Sequence, residues 1–133
     1  MIKIRKKYHF YAAHRNLGAG EKCGRIHGHV YRVFMEFKFN NINENGVTML
    51  FSDIDNVVEP IIKQYDHYFL LDEKDGLRGM LDLANEPYIP LPFETSAENM
   101  AIWIYQQVKR GGLPICRIEL QETESSTVIY EEN

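Results

Sequence analysis

Ile2, Ile4, Tyr8, Phe10 and Ala12 occupy even positions, separated by Lys3, Arg5, Lys7 and His9. Apolar side chains that recur every second residue share a face only on an extended strand. The chain is therefore committed to a half-buried strand from its first residues, and His14 falls on the same apolar face. Residues 16–26, with Asn16, Gly18, Gly20 and Gly24, have loop chemistry. A second strand is expected from His27 to Asn40, where Val30, Tyr31, Val33, Phe34, Phe37 and Phe39 give strong β propensity. Asn40, Asn41, Asn43, Asn45 and Gly46 mark a turn, with a short return strand through Val47 to Phe51.

The period then changes. Val57, Val58, Ile61, Ile62 and Tyr65 recur at helical spacing behind Ser52 and Asp53 as N-caps, and Asp66-His67 falls at the helix end. Pro60 lies inside this helix, so it belongs early in it or kinks it. From Leu70 to Pro92, Asp75-Gly76, Gly79, Pro87, Pro90 and Pro92 read as a long irregular loop, with a short hairpin at most at its end. A second helix starts at Thr95 or Ser96, with Thr95 and Glu98 spaced as a capping box, and ends at Gly111-Gly112. Ile115 to Glu131 reads as a hairpin turning near Glu124 and Ser125. The order β-β-α-α-β-β predicts an α+β domain, a four-stranded antiparallel sheet with two helices on one face.

A length of 133 residues suits one domain, 1–133, with a core large enough to fold without staples. The net charge of −4 and the absence of a basic stripe argue against nucleic acid as a partner. Two cysteines far apart do not make a disulfide framework. No apolar signal core follows Lys7, and no run is long enough to span a bilayer, so a soluble cytoplasmic protein without a membrane partner is expected.

His27-Gly28-His29 places two imidazoles on one strand face, and His14 ends another strand on its apolar face. If the strands pair, three neutral imidazoles converge. Three protein ligands with an open fourth position describe a catalytic zinc site, while Cys23 as a fourth ligand would close it into a structural one. Iron or nickel would also accept three imidazoles. Cys23 lies in a glycine-rich loop beside Gly24 and Arg25, where a thiolate could act as base or nucleophile. Cys116, between Ile115 and Ile118, reads as core. Asp66-His67 gains meaning only if it meets Cys23 in space. Glu122 ends an otherwise apolar strand face formed by Cys116, Ile118 and Leu120. A carboxylate there must be paired or must bind something, and a guanidine-like ring edge offers it two N–H donors. Glu98 is explained by the capping box alone.

Phe10-Tyr11-Ala12-Ala13-His14, Cys23-Gly24-Arg25-Ile26-His27-Gly28-His29, Asp66-His67, Ser96-Ala97-Glu98-Asn99-Met100-Ala101 and Glu122-Thr123 follow one another in this order. Together they resemble the 6-pyruvoyltetrahydropterin synthase and 6-carboxytetrahydropterin synthase family over nearly the whole chain. Three residues separate Cys23 from His27, as in the bacterial 6-carboxytetrahydropterin synthases of the queuosine pathway. The resemblance implies the tunnelling fold, in which subunits join sheets into a barrel, usually a homohexamer built as a dimer of trimers with active sites between subunits. It implies zinc on His14, His27 and His29, catalytic roles for Cys23, Asp66 and His67, and a pterin pocket with Glu122, Ser96 and Glu98. The implied substrate is 7,8-dihydroneopterin triphosphate, and the implied products are 6-carboxytetrahydropterin, acetaldehyde and triphosphate. A 6-pyruvoyltetrahydropterin synthase and a non-catalytic zinc- or pterin-binding module are the alternatives. Arg15, Lys22 and Arg25 are expected near the triphosphate, and the stretch from Glu73 to Phe93 looks longer than in compact bacterial members, with a Pro and Gly pattern of its own.

Overall fold

A computed structural model describes residues 1–132. The two alternating segments form long strands, β1 (Ile2–His14) and β2 (His27–Phe39), paired antiparallel from Ile2↔Phe39 to His14↔His27. Their even and odd faces separate as the periodicity requires. Phe10, Tyr31, Val33, Met35 and Phe37 are fully buried on one face, while Lys3, Arg5, Lys7 and Arg32 lie on the other. β5 (Ile115–Thr123) pairs with β2, and β6 (Ser126–Glu131) closes the expected hairpin.

The fold class is α+β, as expected, but the sheet has six strands in the order β4-β3-β1-β2-β5-β6. The difference lies in the segment read as an irregular loop. It contains β3 (Tyr68–Asp72), the short helix α2 (Arg78–Leu83) and β4 (Tyr88–Leu91). β3 runs parallel to β1 and β4 parallel to β3, so the sheet is mixed rather than antiparallel. Strands of five and four residues flanked by glycine and proline carry too little alternation to be recognised. Pro90 is tolerated because β4 is an edge strand.

The expected return strand from Val47 to Phe51 does not form. Asn43 instead closes a turn on itself, its side-chain Oδ1 accepting from the Asn45 and Val47 amides and its own amide donating to the Val47 carbonyl. α1 then begins at Phe51 with Leu50 as N-cap, so Ser52 and Asp53 lie inside its first turn. The helix (Phe51–Lys63) runs through Pro60, which faces solvent. α3 (Ala97–Arg110) is capped by Ser96, whose hydroxyl accepts from the Asn99 amide at 3.2 Å, and a positive φ of 92° at Gly112 turns the chain out of it. The Thr95–Glu98 box is not made, because the Thr95 hydroxyl turns inward to the Arg15 carbonyl.

α1 and α3 cover one sheet face through Ile54, Val58, Ile62, Met100, Ile104 and Val108. Cys116 is buried, with its thiol on the Glu36 carbonyl. On the open face the basic run is largely satisfied internally: Lys3 and Arg5 pair with Glu36, and Arg5 also with Glu119. Lys6 reaches Asp55 on α1.

One ion pair ties the β3–α2 turn to the end of β1. Arg15 bonds both oxygens of Asp75, Nε at 2.8 Å from Oδ2, and Asp75 also accepts from the Leu77 amide. Asp75 is 7% exposed, and these donors hold its carboxyl below the usual range. Asp75→Ala leaves the Arg15 cation without its partner and should cost roughly 3–5 kcal/mol in urea unfolding. A depressed folded pKa stabilises fully above the unfolded value of about 3.9 and is lost as pH falls toward the folded value. The wild type should therefore lose stability through that acid window more steeply than Asp75→Ala.

Candidate metal centre

The β1–β2 register sets His14 opposite His27, and Ala12 opposite His29. With all three imidazoles on the helix-covered face, one ligand nitrogen from each lies within 4.8 Å of the others. Ring centroids are 4.6 Å apart for His14–His27, 4.8 Å for His27–His29 and 5.2 Å for His14–His29. His14 Nδ1 lies 2.8 Å from the Thr95 carbonyl and His27 Nδ1 2.7 Å from the Arg25 carbonyl. Only an N–H can bond a carbonyl, so both rings carry the proton on Nδ1 and turn an Nε2 lone pair inward.

His14 Nε2 and His29 Nε2 are buried without a hydrogen-bond partner. Burial pushes the His14 pKa down to about 4, with the other two histidines adding to the effect. Burial also lowers that of His29. Both rings are thus held neutral at pH 7, as metal ligation requires. Two orphaned lone pairs on neutral imidazoles fit a divalent ion, and nothing else within the described residues satisfies them.

Cys23 is not part of this cluster. It is exposed, in a loop whose base is closed by the Asn16 amide on the Cys23 carbonyl at 2.7 Å. Gly24 is required there: a Cβ would lie 2.9 Å from the Gly20 carbonyl oxygen. The thiol is therefore held on an exposed loop close to the end of β1, outside the histidine set.

Asp66 and His67 lie beside β1 just ahead of β3, bonded to the Tyr11 backbone, with the His67 and Tyr11 ring centroids 5.5 Å apart. Asp66 Oδ1 accepts from the Tyr11 amide at 2.9 Å, and the His67 amide donates to the Tyr11 carbonyl at 2.6 Å. His67 adopts φ 66°, and its Nδ1 lies 2.9 Å from Asp66 Oδ2. The Tyr11 amide, and then His67, draw the Asp66 pKa down. The carboxylate thus orients the ring, which lines a cavity of about 520 Å³ with Tyr11, Ala13, His29, Val30 and Tyr68. Among the described residues no hydrogen bond joins this pair to Cys23 of the same chain.

Glu122 does reach the metal face. Its Oε2 is 3.8 Å from His29 Nε2, and the two residues line a cavity of about 250 Å³ with Arg32, Gln121 and Thr123. Burial raises the Glu122 pKa, His27 opposes this, and Glu98 adds to it, which places the Glu98 carboxylate within electrostatic reach. Ser96 is spent as the α3 cap. Arg15 is paired with the buried Asp75, whereas Arg25 forms only an exposed surface pair with Glu21. Two residues escaped the sequence reading: Thr95, whose carbonyl holds His14, and Tyr31, a buried phenol against His14 and His29. Neither departs from ordinary strand or loop composition, so only the spatial arrangement shows their roles.

Comparison with known proteins gives consistent results. The chain is 30% identical to the 6-carboxy-5,6,7,8-tetrahydropterin synthase of Haemophilus influenzae, over 99% of this chain and 100% of that one. It is 27% identical to the protein of the same name from Aquifex aeolicus, over 98% of each. Among solved structures it resembles an uncharacterized protein from Wolinella succinogenes, with a TM-score of 0.82, 17% identity and coverage of 99% and 98%. It also resembles the 6-pyruvoyl tetrahydropterin synthase of Caenorhabditis elegans, with a TM-score of 0.74, 15% identity and coverage of 99% and 96%. At these identities the structural likenesses show the fold alone. The model of the family described as 6-pyruvoyl tetrahydropterin synthase matches residues 3–133, and the chain belongs to that family.

Proposed function

We propose that this chain is a zinc-dependent 6-carboxytetrahydropterin synthase, converting 7,8-dihydroneopterin triphosphate and water to 6-carboxy-5,6,7,8-tetrahydropterin, acetaldehyde and triphosphate. The observation that carries the reading is the set of three converging imidazoles with two buried, unpartnered nitrogens, beside a half-buried carboxylate. The choice of the carboxy product over the pyruvoyl one is supported by end-to-end similarity to relatives named for it. The reading includes a cytoplasmic setting and assembly of several copies, six by family resemblance.

His14, His27 and His29 would hold the zinc, which supplies Lewis acidity to the substrate side-chain oxygens when bound. Thr95 and Arg25 fix the orientation of two of those rings through backbone carbonyls. Glu122 accepts the N–H donors of the pterin edge, with Glu98 at the pocket margin. Cys23 exchanges protons at the substrate side-chain carbons as a thiolate, and Asp66 orients His67 to take and return the thiol proton. Among the described residues no hydrogen bond joins Asp66 or His67 to Cys23 of the same chain, and in this reading the relay closes between Cys23 of one copy and His67 of another.

Zinc-loaded protein incubated with the substrate should release acetaldehyde and the carboxy product by mass, and Cys23→Ala should lower turnover by about 10²-fold or more. A pyruvoyl product would move the assignment to the sister enzyme, and no turnover with zinc bound would leave a binding module. The shared relay has its own readout. Cys23→Ala and His67→Ala are each expected to be inactive alone. Unfolded and refolded together in equal amounts, they should regain about a quarter of wild-type activity, the fraction of sites drawing an intact residue from each copy. Recovery absent from well-formed mixed oligomers would place the relay within one chain.

A further inference from the structure

Among the described residues, four buried side-chain polar atoms lack a partner: His14 Nε2, His29 Nε2, the Tyr31 hydroxyl and Arg78 Nε. Three of them belong to one place. The Tyr31 ring is fully buried, stacked on Phe10 with centroids 4.7 Å apart, and edge-on to His14 at 5.9 Å and His29 at 5.3 Å. A metal ion accounts for the two imidazole nitrogens. It does not account for the phenol, which stays a neutral O–H donor at pH 7. A buried hydroxyl without an acceptor costs the full loss of its hydration, and phenylalanine would stack on Phe10 equally well.

An acceptor lies beside it. The β2–β5 ladder ends at Arg32↔Gln121, and both Tyr31 and Glu122 approach His29 just beyond it, with ring centroids 5.3 Å apart for Tyr31 and Oε2 at 3.8 Å for Glu122, close enough for the carboxylate to act on the phenol. Glu122 is half-buried, feels Glu98 unfavourably, and accepts no side-chain hydrogen bond among the described residues. His29 Nε2, the nitrogen a metal would take, lies 3.8 Å from Glu122 Oε2. A donor without an acceptor thus lies near a carboxylate whose contact with His29 a metal would displace.

We propose that Tyr31 is a positioning residue: once His29 is committed to metal, the Tyr31 hydroxyl donates to the Glu122 carboxylate and fixes its rotation toward the ligand. A carboxylate has about four lone-pair positions on its two oxygens. Occupying one of them from below leaves a parallel pair for the two N–H groups of a planar ring edge. The ligand part of this inference rests on the pterin reading above, whereas the Tyr31–Glu122 contact does not.

Tyr31→Phe removes only the oxygen. A double-mutant cycle with Glu122→Gln, read by thermal unfolding, tests the contact without any ligand. The two substitutions should be additive in metal-free protein and non-additive once zinc is bound. Binding of 7,8-dihydropterin, which lacks the reacting side chain, should weaken about tenfold in zinc-loaded Tyr31→Phe, with zinc affinity unchanged. That tenfold loss should vanish in a Glu122→Gln background. Turnover should show it as a raised KM with kcat nearly kept. Additivity in both metal states would overturn the proposal, as would unaltered ligand affinity together with a stability gain in both states. Wild-type protein that binds no dihydropterin would instead sink the pterin reading, and the cycle would still decide the contact.

Discussion

The register of β1 against β2 is the constraint on which the site depends. His14 must stand opposite His27, with Ala12 opposite His29, for three rings to meet on one face. A slip of one residue would turn every side chain of a strand to the other face, taking His27 and His29 to the open side and Tyr31, Val33, Met35 and Phe37 out of the core. The convergence of the three imidazoles and the burial of the core are thus secured by the same ladder. The core holds the register more firmly than three imidazoles could alone, because the ligating face is an extension of the apolar face.

That arrangement explains why the ligands were legible in the sequence. His14 ends a period-two pattern and His27-Gly28-His29 begins another, so the alternation that predicts the strands also predicts which way the histidines point. The β5 face ending in Glu122 could be read for the same reason. The segment from Tyr68 to Leu91 was not legible, since its strands are short and borrow their order from neighbours: β3 from β1 by parallel pairing and β4 from β3. Non-local pairing leaves no periodic trace in a window of five residues. The Thr95–Glu98 capping box failed for a related reason. Sequence spacing permitted it, but the buried Arg15 carbonyl drew the Thr95 hydroxyl inward and left Ser96 as the cap.

The long segment also links fold to site. Arg15 follows His14 directly, and its pairing with Asp75 fixes the end of β1 to the β3–α2 turn. Thr95 joins the same place from the other side, its carbonyl on His14 and its hydroxyl on the Arg15 carbonyl. Three distant parts of the chain therefore meet at His14. His14 is held by hydrogen bonds on one nitrogen and left bare on the other, which pre-organises the ring before any ion arrives.

The placement of Asp66 and His67 has a geometric consequence. They hang from Tyr11, whose side chain points away from the face that carries His14. The His67 ring rests against the Tyr11 ring and lines one cavity with His29. His67 is itself pinned at both ends, by its amide on the Tyr11 carbonyl and its Nδ1 on Asp66. In the proposed function the relay would form where another copy brings its exposed Cys23 loop to this pinned ring. A barrel of joined sheets would supply that approach, because it sets the strand ends of one copy beside its neighbour.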